Sequence, residues 1–345
     1  MKYALALAGG GTRGAFEVGV WQALKELGID ICAITGTSIG AVNGAVFASG
    51  SDGETLWKTI DAKDVADING KNLFAPASII STLKKVSDGG IDASAFGDFL
   101  AEHIDERAIR DSGIDYGLCT YRTDTKKSEE LFLSDIPDGK LTDYILASAC
   151  FPLFKPVTID GVEYSDGGIL NNLPENMLIS KGYDSIISVS VKGPGYVKSV
   201  DKCGINIIEI NCKTPEVGVM DFNTDAIGES IKSGYYECMR VFGKCRGEIY
   251  PIQSSSFSHA LLCYGPKIIS GLEEAARICK IDPYREYTFD ELKEAVFSAY
   301  RSNSRLRLMT YAISHDLPLR GVLDSLGKIF CAANSIVYLL RHENG

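Results

Sequence analysis

Two glycine-rich motifs near the N-terminus each follow a short apolar run. One reads Gly-Gly-Gly-Thr-Arg-Gly at 9–14, and the other reads Gly-Thr-Ser-Ile-Gly at 36–40. Each has the layout of a strand, a tight turn and a helix. The second motif predicts that Ser38 lies on a sharp strand-to-helix elbow, with its hydroxyl open above the sheet edge. The first leaves unpaired backbone N–H groups that could face this hydroxyl. A serine nucleophile beside an oxyanion site indicates acyl-transfer chemistry.

Each motif taken alone has a second interpretation. Gly36 and Gly40 could flank an ordinary turn whose serine caps the next helix. The motif at 9–14 could be a plain tight turn with no ligand, and it also fits the glycine fingerprint of dinucleotide-binding folds. That fingerprint requires a carboxylate at the end of the second strand, where it binds the ribose. Here the strand ends in Ile-Thr-Gly-Thr at 34–37, which argues against a dinucleotide.

A serine nucleophile needs a base. The chain has four histidines, none of them in a motif: His103, His259, His315 and His342. His259 would complete the order Ser, Asp, His of α/β-hydrolases, but that fold places its nucleophile after several strands. Asp166, followed by Gly167 and Gly168, is the better candidate, because a carboxylate in a dehydrated pocket can deprotonate a serine directly. A simple turn is the alternative interpretation of this segment.

Hydrophobic patterns predict the elements that position these residues. Short apolar runs predict buried strands at 3–8 and 31–35, and a stripe of apolar residues predicts a helix at 14–27. Small residues predict a closely packed helix at 38–49. Residues 54–110 read as helices and loops, including a helix at 93–103. The remaining elements are strands at 115–122, 129–134, 184–191 and 205–210, a hairpin at 157–164 around Asp160-Gly161, and helices at 140–149 and 224–243.

Strand patterns nearly stop after residue 245. Thr288 and Glu291 have the spacing of a capping box that opens a helix, and apolar residues repeat with helical spacing over 322–340. Residues from Arg246 onward carry 12 Lys and Arg against 11 Asp and Glu, a charge of +1, so the residues before them carry −11. We therefore predict an α/β domain at 1–245 and a mostly helical extension at 246–345. For 322–340 we expect packing in a core, with peripheral membrane contact as the main alternative. A lid and a dimer contact are two further ones.

The composition excludes several classes of protein. The 345 residues are 45% hydrophobic and 23% charged, which is typical of globular proteins. A net charge of −10 argues against nucleic-acid partners and against broad docking on anionic lipid. The sequence contains no run of 18 apolar residues, so it predicts no membrane-spanning helix. The apolar start ends in three glycines and Arg13, so we do not expect a cleaved signal peptide.

Ten cysteines are spread along the chain without a CxxC pair. We expect buried, reduced thiols and a cytoplasmic protein. Zinc binding and a disulfide framework are the alternatives.

Taken together and in this order, the motifs resemble those of the patatin-like phospholipase family. The resemblance includes the Gly-rich loop at 9–14, the serine motif at 36–40 and the Asp-Gly-Gly of 166–168. It extends to the alanine-serine and proline segment at 147–156, and to Asn171 and Pro174 after the aspartate. It covers about residues 2–245, and the helical extension lies outside it.

The resemblance implies a three-layer α/β/α core and a lipid acyl hydrolase of the phospholipase A or lysophospholipase type. Ser38 would be the nucleophile and Asp166 its base, without a histidine, a metal or another cofactor. The oxyanion donors would be the N–H groups of Gly10, Gly11, Thr12 and Ile39. Arg13 would fix the loop, and the other motif positions are Gly9, Gly14, Gly36, Gly40, Gly167 and Gly168.

The expected partner is a phospholipid or another acyl-ester lipid, and the sequence specifies no oligomeric state. Two alternatives use the same fold. One is a non-catalytic lipid-sensing or adaptor protein, and the other is an acyltransferase, in which only the acceptor differs.

Overall fold

A computed structural model of the protein describes residues 2–60, 64–65, 90–315 and 327–343. The chain forms two compact units, Met1–Cys238 and Met239–Gly345. The first contains a mixed sheet with helices, and the second is mostly helical. The predicted helices and loops of 54–110 lie partly outside the described residues, as do the first five residues of the predicted helix at 322–340.

One eight-stranded sheet forms the centre of the first unit. Its strands are β1 (Lys2–Leu7), β2 (Asp30–Thr37), β3 (Asp115–Arg122), β4 (Lys127–Phe132), β5 (Val157–Ile159), β6 (Val162–Asp166), β7 (Ser185–Ser190) and β8 (Asn206–Asn211). Five strands are parallel, in the order β3-β2-β1-β7-β8. The apolar runs of β1 and β2 are continuous because central parallel strands are covered on both faces.

Strand β3 shares one of its edges between two partners. Its first half, from Asp115 to Cys119, pairs with β2 in parallel. Its last three residues pair with β6 in the antiparallel sense, while β4 pairs along the opposite edge. Strands β2 and β6 therefore lie end to end, and their carboxyl ends meet at the middle of β3.

Helices cover both faces of this sheet. They are α1 (Ala15–Glu26), α2 (Ile39–Ala48), α3 (Glu54–Thr59), α4 (Ser94–His103), α5 (Glu106–Asp111), α6 (Leu141–Ser148), α7 (Glu175–Ser180) and α8 (Thr224–Val241). On one face, α2 lies so close to β2 that a Cβ on Gly44 would be 2.9 Å from the Ile34 side chain. On the other, Thr35 donates a hydrogen bond to the carbonyl of Pro174, just before α7. The predicted three-layer α/β/α arrangement is confirmed.

The second unit has its own apolar core. It contains a short hairpin of β9 (Cys245–Arg246) and β10 (Ile252–Gln253), and the helices α9 (Ser254–Tyr264), α10 (Pro266–Ile278), α11 (Phe289–Ala299), α12 (Ser304–Ser314) and α13 (Gly327–Glu343). The predicted capping box opens α11, with Thr288 and Glu291 each accepting the other's backbone N–H. Leu272, Leu292 and Ile336 are fully buried in this core.

The predicted secondary structure agrees with the described elements to within a few residues. The hairpin turn at Asp160-Gly161 has positive φ at both residues, 49° and 82°, as its sequence predicts. The expectation of buried thiols needs correction, since Cys203, Cys263 and Cys331 are exposed. All ten cysteines lie in described residues, and none forms a disulfide. Among the described helices, none has the length and apolarity to cross a membrane.

Candidate active site

Ser38 occupies the sharp turn between β2 and α2. Its backbone has φ 55° and ψ −126°, a conformation that is strained for a residue with a side chain. A Cβ on Gly36 would lie 2.1 Å from the Gly40 carbonyl oxygen, and one on Gly40 would lie 2.5 Å from the Leu7 carbonyl oxygen. The two flanking glycines are therefore required for the turn to pack against the sheet.

A buried hydroxyl holds the strained turn in place. The Ser38 N–H donates to Ser148 Oγ at 3.0 Å, and Ser148 Oγ donates to the carbonyl of Cys119 at 2.6 Å. Ser148 ends α6 and is fully buried. It therefore ties the Ser38 turn to β3 through one bridging group. Ser148 lies in the alanine-serine segment noted in the sequence, but its spacing alone gave no role for it.

The side chains of Ser38 and Asp166 are in direct contact. Ser38 Oγ donates to Asp166 Oδ2 at 2.7 Å, and Asp166 Oδ1 accepts the N–H of Gly168 at 2.7 Å. The pairing of β3 explains this contact, because Thr37 lies opposite Cys119 while Asp166 lies opposite the next residue, Thr120. The end-to-end strands thus bring two residues 128 positions apart into hydrogen-bond distance.

Burial sets the proton affinity of this carboxyl. Asp166 is 4% exposed, and burial raises its pKa from 3.8 to about 6, against the opposing effects of the Ser38 and Gly168 hydrogen bonds. No cationic side chain contributes to this shift. Asp166 is therefore ionised at neutral pH and has a proton affinity close to that of an efficient general base.

The glycine loop after β1 lies beside Ser38. A Cβ on Gly9 would be 3.0 Å from the Ser38 Cβ. Asn172 holds Gly9 from both sides, since its backbone carbonyl accepts the Gly9 N–H at 2.9 Å and its side-chain amide donates to the Gly9 carbonyl at 3.1 Å. The segment after Asp166 thereby fixes the start of the loop.

The four predicted oxyanion donors differ in their backbone bonding. The Thr12 N–H donates to the carbonyl of Val219 at 2.9 Å. The prediction of Thr12 as an oxyanion donor is therefore corrected, because its N–H already has an acceptor. Within the described part of the chain, no hydrogen bond engages the N–H groups of Gly10, Gly11 and Ile39. These three residues line the same pocket as Ser38.

The remaining motif residues support the loop and the carboxylate. The Arg13 side chain donates to the backbone carbonyls of Lys192 and Val217, which agrees with its expected role. A Cβ on Gly14 would lie 2.6 Å from the Ile39 side chain. Gly167 and Gly168 leave similarly little room, because their Cβ atoms would meet the Cys119 carbonyl at 2.1 Å and the Asn172 side chain at 2.6 Å.

The pocket in front of Ser38 is mainly apolar. Its free space is about 610 Å³ when the solvent at its open mouth is included. Gly10, Gly11, Thr12, Ser38, Ile39 and Asp166 form its reactive end. The other walls are mostly large apolar side chains, namely Trp57, Ile60, Val65, Phe96, Phe151, Phe154, Val219, Met220 and Phe222. Such a cavity suits one hydrocarbon chain whose polar end reaches Ser38.

Within the described residues of this unit, the histidine and the acidic residues do not form a metal site. His103, the one histidine of the first unit, is bonded to Phe99 and Thr59 and does not line the pocket. In the parts of the chain that the structure describes, no three His, Cys, Asp or Glu side chains are grouped as ligands for a metal.

Comparisons with known proteins identify relatives of this chain. It is 32% identical over 191 residues to patatin-like phospholipase domain-containing protein 7 of Rattus norvegicus, an alignment covering 54% of this chain and 13% of the rat protein. It is 33% identical over 195 residues to an uncharacterised NTE family protein of Mycobacterium tuberculosis, covering 56% of this chain and 49% of the relative. The chain thus matches less than half the length of either relative.

Two bacterial proteins are similar among solved structures. VipD of Legionella pneumophila has a TM-score of 0.39 and 15% identity, with 95% of this chain and 79% of VipD covered. ExoU of Pseudomonas aeruginosa has a TM-score of 0.31 and 14% identity, with 99% of this chain and 79% of ExoU covered.

The family model of the patatin-like phospholipases matches residues 5–179, which include both glycine motifs, Ser38 and Asp166. With half of its length matched in this way, the chain belongs to the patatin-like phospholipase family.

Proposed function

We propose that the protein is a lipid acyl hydrolase in which Ser38 is the nucleophile and Asp166 is its base. The observation that carries this proposal is the hydrogen bond of 2.7 Å from Ser38 Oγ to a buried carboxylate. Membership of the family supports a lipid hydrolase. We place the activity in residues 1–245.

The geometry of these two residues supports the following reaction. Asp166 takes the proton as Ser38 Oγ attacks the ester carbonyl, and it returns that proton to the leaving alcohol. The resulting acyl-enzyme is then attacked by water, whose proton passes to Asp166 and back to Ser38. Gly168 holds the carboxylate through its Oδ1, so that Oδ2 stays directed at the serine.

The free N–H groups of Gly10, Gly11 and Ile39 support an oxyanion site. Each donor directed at the developing negative charge contributes about 3 kcal/mol to stabilisation of the transition state. Ile39 follows the nucleophile directly, and the two glycines lie in the loop that Asn172 fixes next to Ser38. The apolar pocket walls support an acyl chain as the part of the substrate that is bound.

Hydrolysis of p-nitrophenyl esters of increasing chain length tests the proposal. We expect the wild type to release p-nitrophenol, and to do so faster from esters with longer acyl chains. Ser38→Ala and Asp166→Asn should each abolish this release. Ser49→Ala is the matched control, since Ser49 follows the other end of α2 and its hydroxyl bonds, among the described residues, only to the Val46 carbonyl. Wild-type turnover in Ser38→Ala would refute the assigned nucleophile.

A fluorophosphonate probe separates the hydrolase from a binding protein on the same fold. We expect the probe to label the wild type at Ser38 and to leave Ser38→Ala unlabelled. A folded wild-type protein that neither hydrolyses the esters nor reacts with the probe would contradict the proposed function.

A further inference from the structure

One buried acid near the site takes no part in the proposed reaction. Glu17 lies on α1, three residues after the glycine loop, and is fully buried. Within the described residues it forms no ion pair, and its Oε1 has no hydrogen-bond partner. A carboxylate in such a place is costly unless it is protonated or serves another group. The contacts of its second oxygen indicate which group it serves.

Asn43 on α2 connects Glu17 to two parts of the site. Its Nδ2 donates to Glu17 Oε2 at 2.8 Å and to the carbonyl of Gly14, at the end of the glycine loop, at 2.9 Å. Its Oδ1 accepts the indole N–H of Trp57 at 2.9 Å. Both N–H donors and one lone pair of the oxygen of this buried amide are thereby used.

The orientation of the Asn43 amide is fixed by chemistry. An indole N–H can only donate, so the amide oxygen must face Trp57 and the NH₂ group must face the other two partners. Trp57 is 2% exposed and forms part of the pocket wall. Glu17 is thus the acceptor at one end of a chain of hydrogen bonds. This chain runs from α1 through Asn43 on α2 to Trp57 in the pocket wall.

We propose that Glu17, in its neutral protonated form, is a positioning residue that acts through Asn43 to hold the Trp57 indole in the pocket wall and the end of the glycine loop in place. This proposal rests on the proposed function only in treating the pocket as the site that binds the acyl chain. The hydrogen-bond chain itself has a readout that does not depend on catalysis.

The surroundings of Glu17 favour the neutral form. The groups that face its carboxyl are the Asn43 amide on α2 and the backbone of Ala8 after β1, and neither is charged or titratable. Burial raises the pKa of Glu17 to about 8, against the smaller opposing effects of these two groups. Ionisation would leave a buried charge with one unpaired oxygen, so we expect the chain of hydrogen bonds to be disturbed above pH 8.

Tryptophan emission tests the chain without catalysis. The protein has two tryptophans, Trp21 and Trp57, so Trp21→Phe leaves Trp57 as the only one. In this background we expect the Trp57 emission to change with a midpoint near pH 8, and Glu17→Gln to abolish that change, because glutamine mimics the neutral acid. Glu102→Gln, an exposed change on α4, is the matched control and is expected to keep the titration.

Ester hydrolysis gives the second readout. We expect kcat of the wild type to fall above pH 8 while Glu17→Gln keeps its kcat there and matches the wild type at pH 7. Glu17→Leu removes the acceptor and is expected to lower kcat by about 10- to 100-fold, since misplacement of site groups by about 1 Å has effects of this size. The Gln variant keeps the test decisive if the Leu variant does not fold.

Three outcomes would overturn the proposal. They are a Trp57 emission that does not titrate near pH 8, a titration that persists in Glu17→Gln, and a common alkaline profile of hydrolysis for the wild type and Glu17→Gln. If no ester is hydrolysed, the emission titration still decides the role of Glu17, while fluorophosphonate labelling separately decides the proposed function.

Discussion

Replacement of Asp166 by asparagine is expected to abolish hydrolysis and yet stabilise the protein. The pKa of Asp166 is raised from 3.8 to about 6, mainly by burial. A tenfold change in a protonation constant corresponds to about 1.4 kcal/mol, so ionised Asp166 costs the folded state about 3 kcal/mol at pH 8. Asparagine keeps an oxygen for the Gly168 N–H but carries no charge. We therefore expect Asp166→Asn to raise the free energy of unfolding by up to about 3 kcal/mol at pH 8.

The direction of the pH dependence follows from the raised pKa. The folded state binds the Asp166 proton more tightly than the unfolded state, so the penalty is absent below pH 3.8 and is complete above about pH 6. The advantage of Asp166→Asn over the wild type should accordingly shrink to about half at pH 5. This trend is opposite to that of a carboxylate stabilised by a salt bridge.

Urea unfolding followed by tryptophan emission measures this effect. Trp21 and Trp57 both lie in the unit that contains Asp166, so the emission reports on that unit. Asp98→Asn, at an exposed position of α4, is the matched control and should change stability little at either pH. A folded Asp166→Asn variant that is no more stable than the wild type at pH 8 would refute the burial argument.

Two further predictions concern the same dyad. Ser148→Ala removes the acceptor of the Ser38 N–H and a donor to the Cys119 carbonyl. We therefore expect the free energy of unfolding in urea to fall by about 1–3 kcal/mol and kcat to be lower. An unchanged kcat would show that the Ser38 turn does not need this bridge. The wild-type rate of hydrolysis should fall about tenfold per pH unit below about 6 as Asp166 is protonated, and a rate that stays constant down to pH 4 would exclude Asp166 as the base.

Local patterns were sufficient to predict most of the fold. The apolar runs of β1 and β2 identify buried parallel strands, and the Asp160-Gly161 turn and the Thr288 capping box identify a hairpin and a helix start. Each of these features depends on residues close together in sequence. The predicted site residues were likewise found from short motifs, including the glycines whose missing side chains allow close backbone contacts.

The remaining features depend on contacts between distant segments. Nothing near Thr12 indicates that its N–H is taken by Val219, because that bond spans more than 200 residues. The bridge formed by Ser148 and the chain from Glu17 through Asn43 to Trp57 depend in the same way on how helices pack on the sheet. Composition also failed to distinguish the exposed Cys203, Cys263 and Cys331 from the buried cysteines.

The end-to-end arrangement of β2 and β6 along β3 has a consequence during synthesis of the chain. Ser38 leaves the ribosome 128 residues ahead of Asp166, which corresponds to on the order of 10 s at typical rates of translation. During that interval the nascent protein has its serine but no carboxylate to activate it. In the mechanism proposed above, a chain that is interrupted before β6 would lack its base, and hydrolysis would begin only after the antiparallel strand has paired.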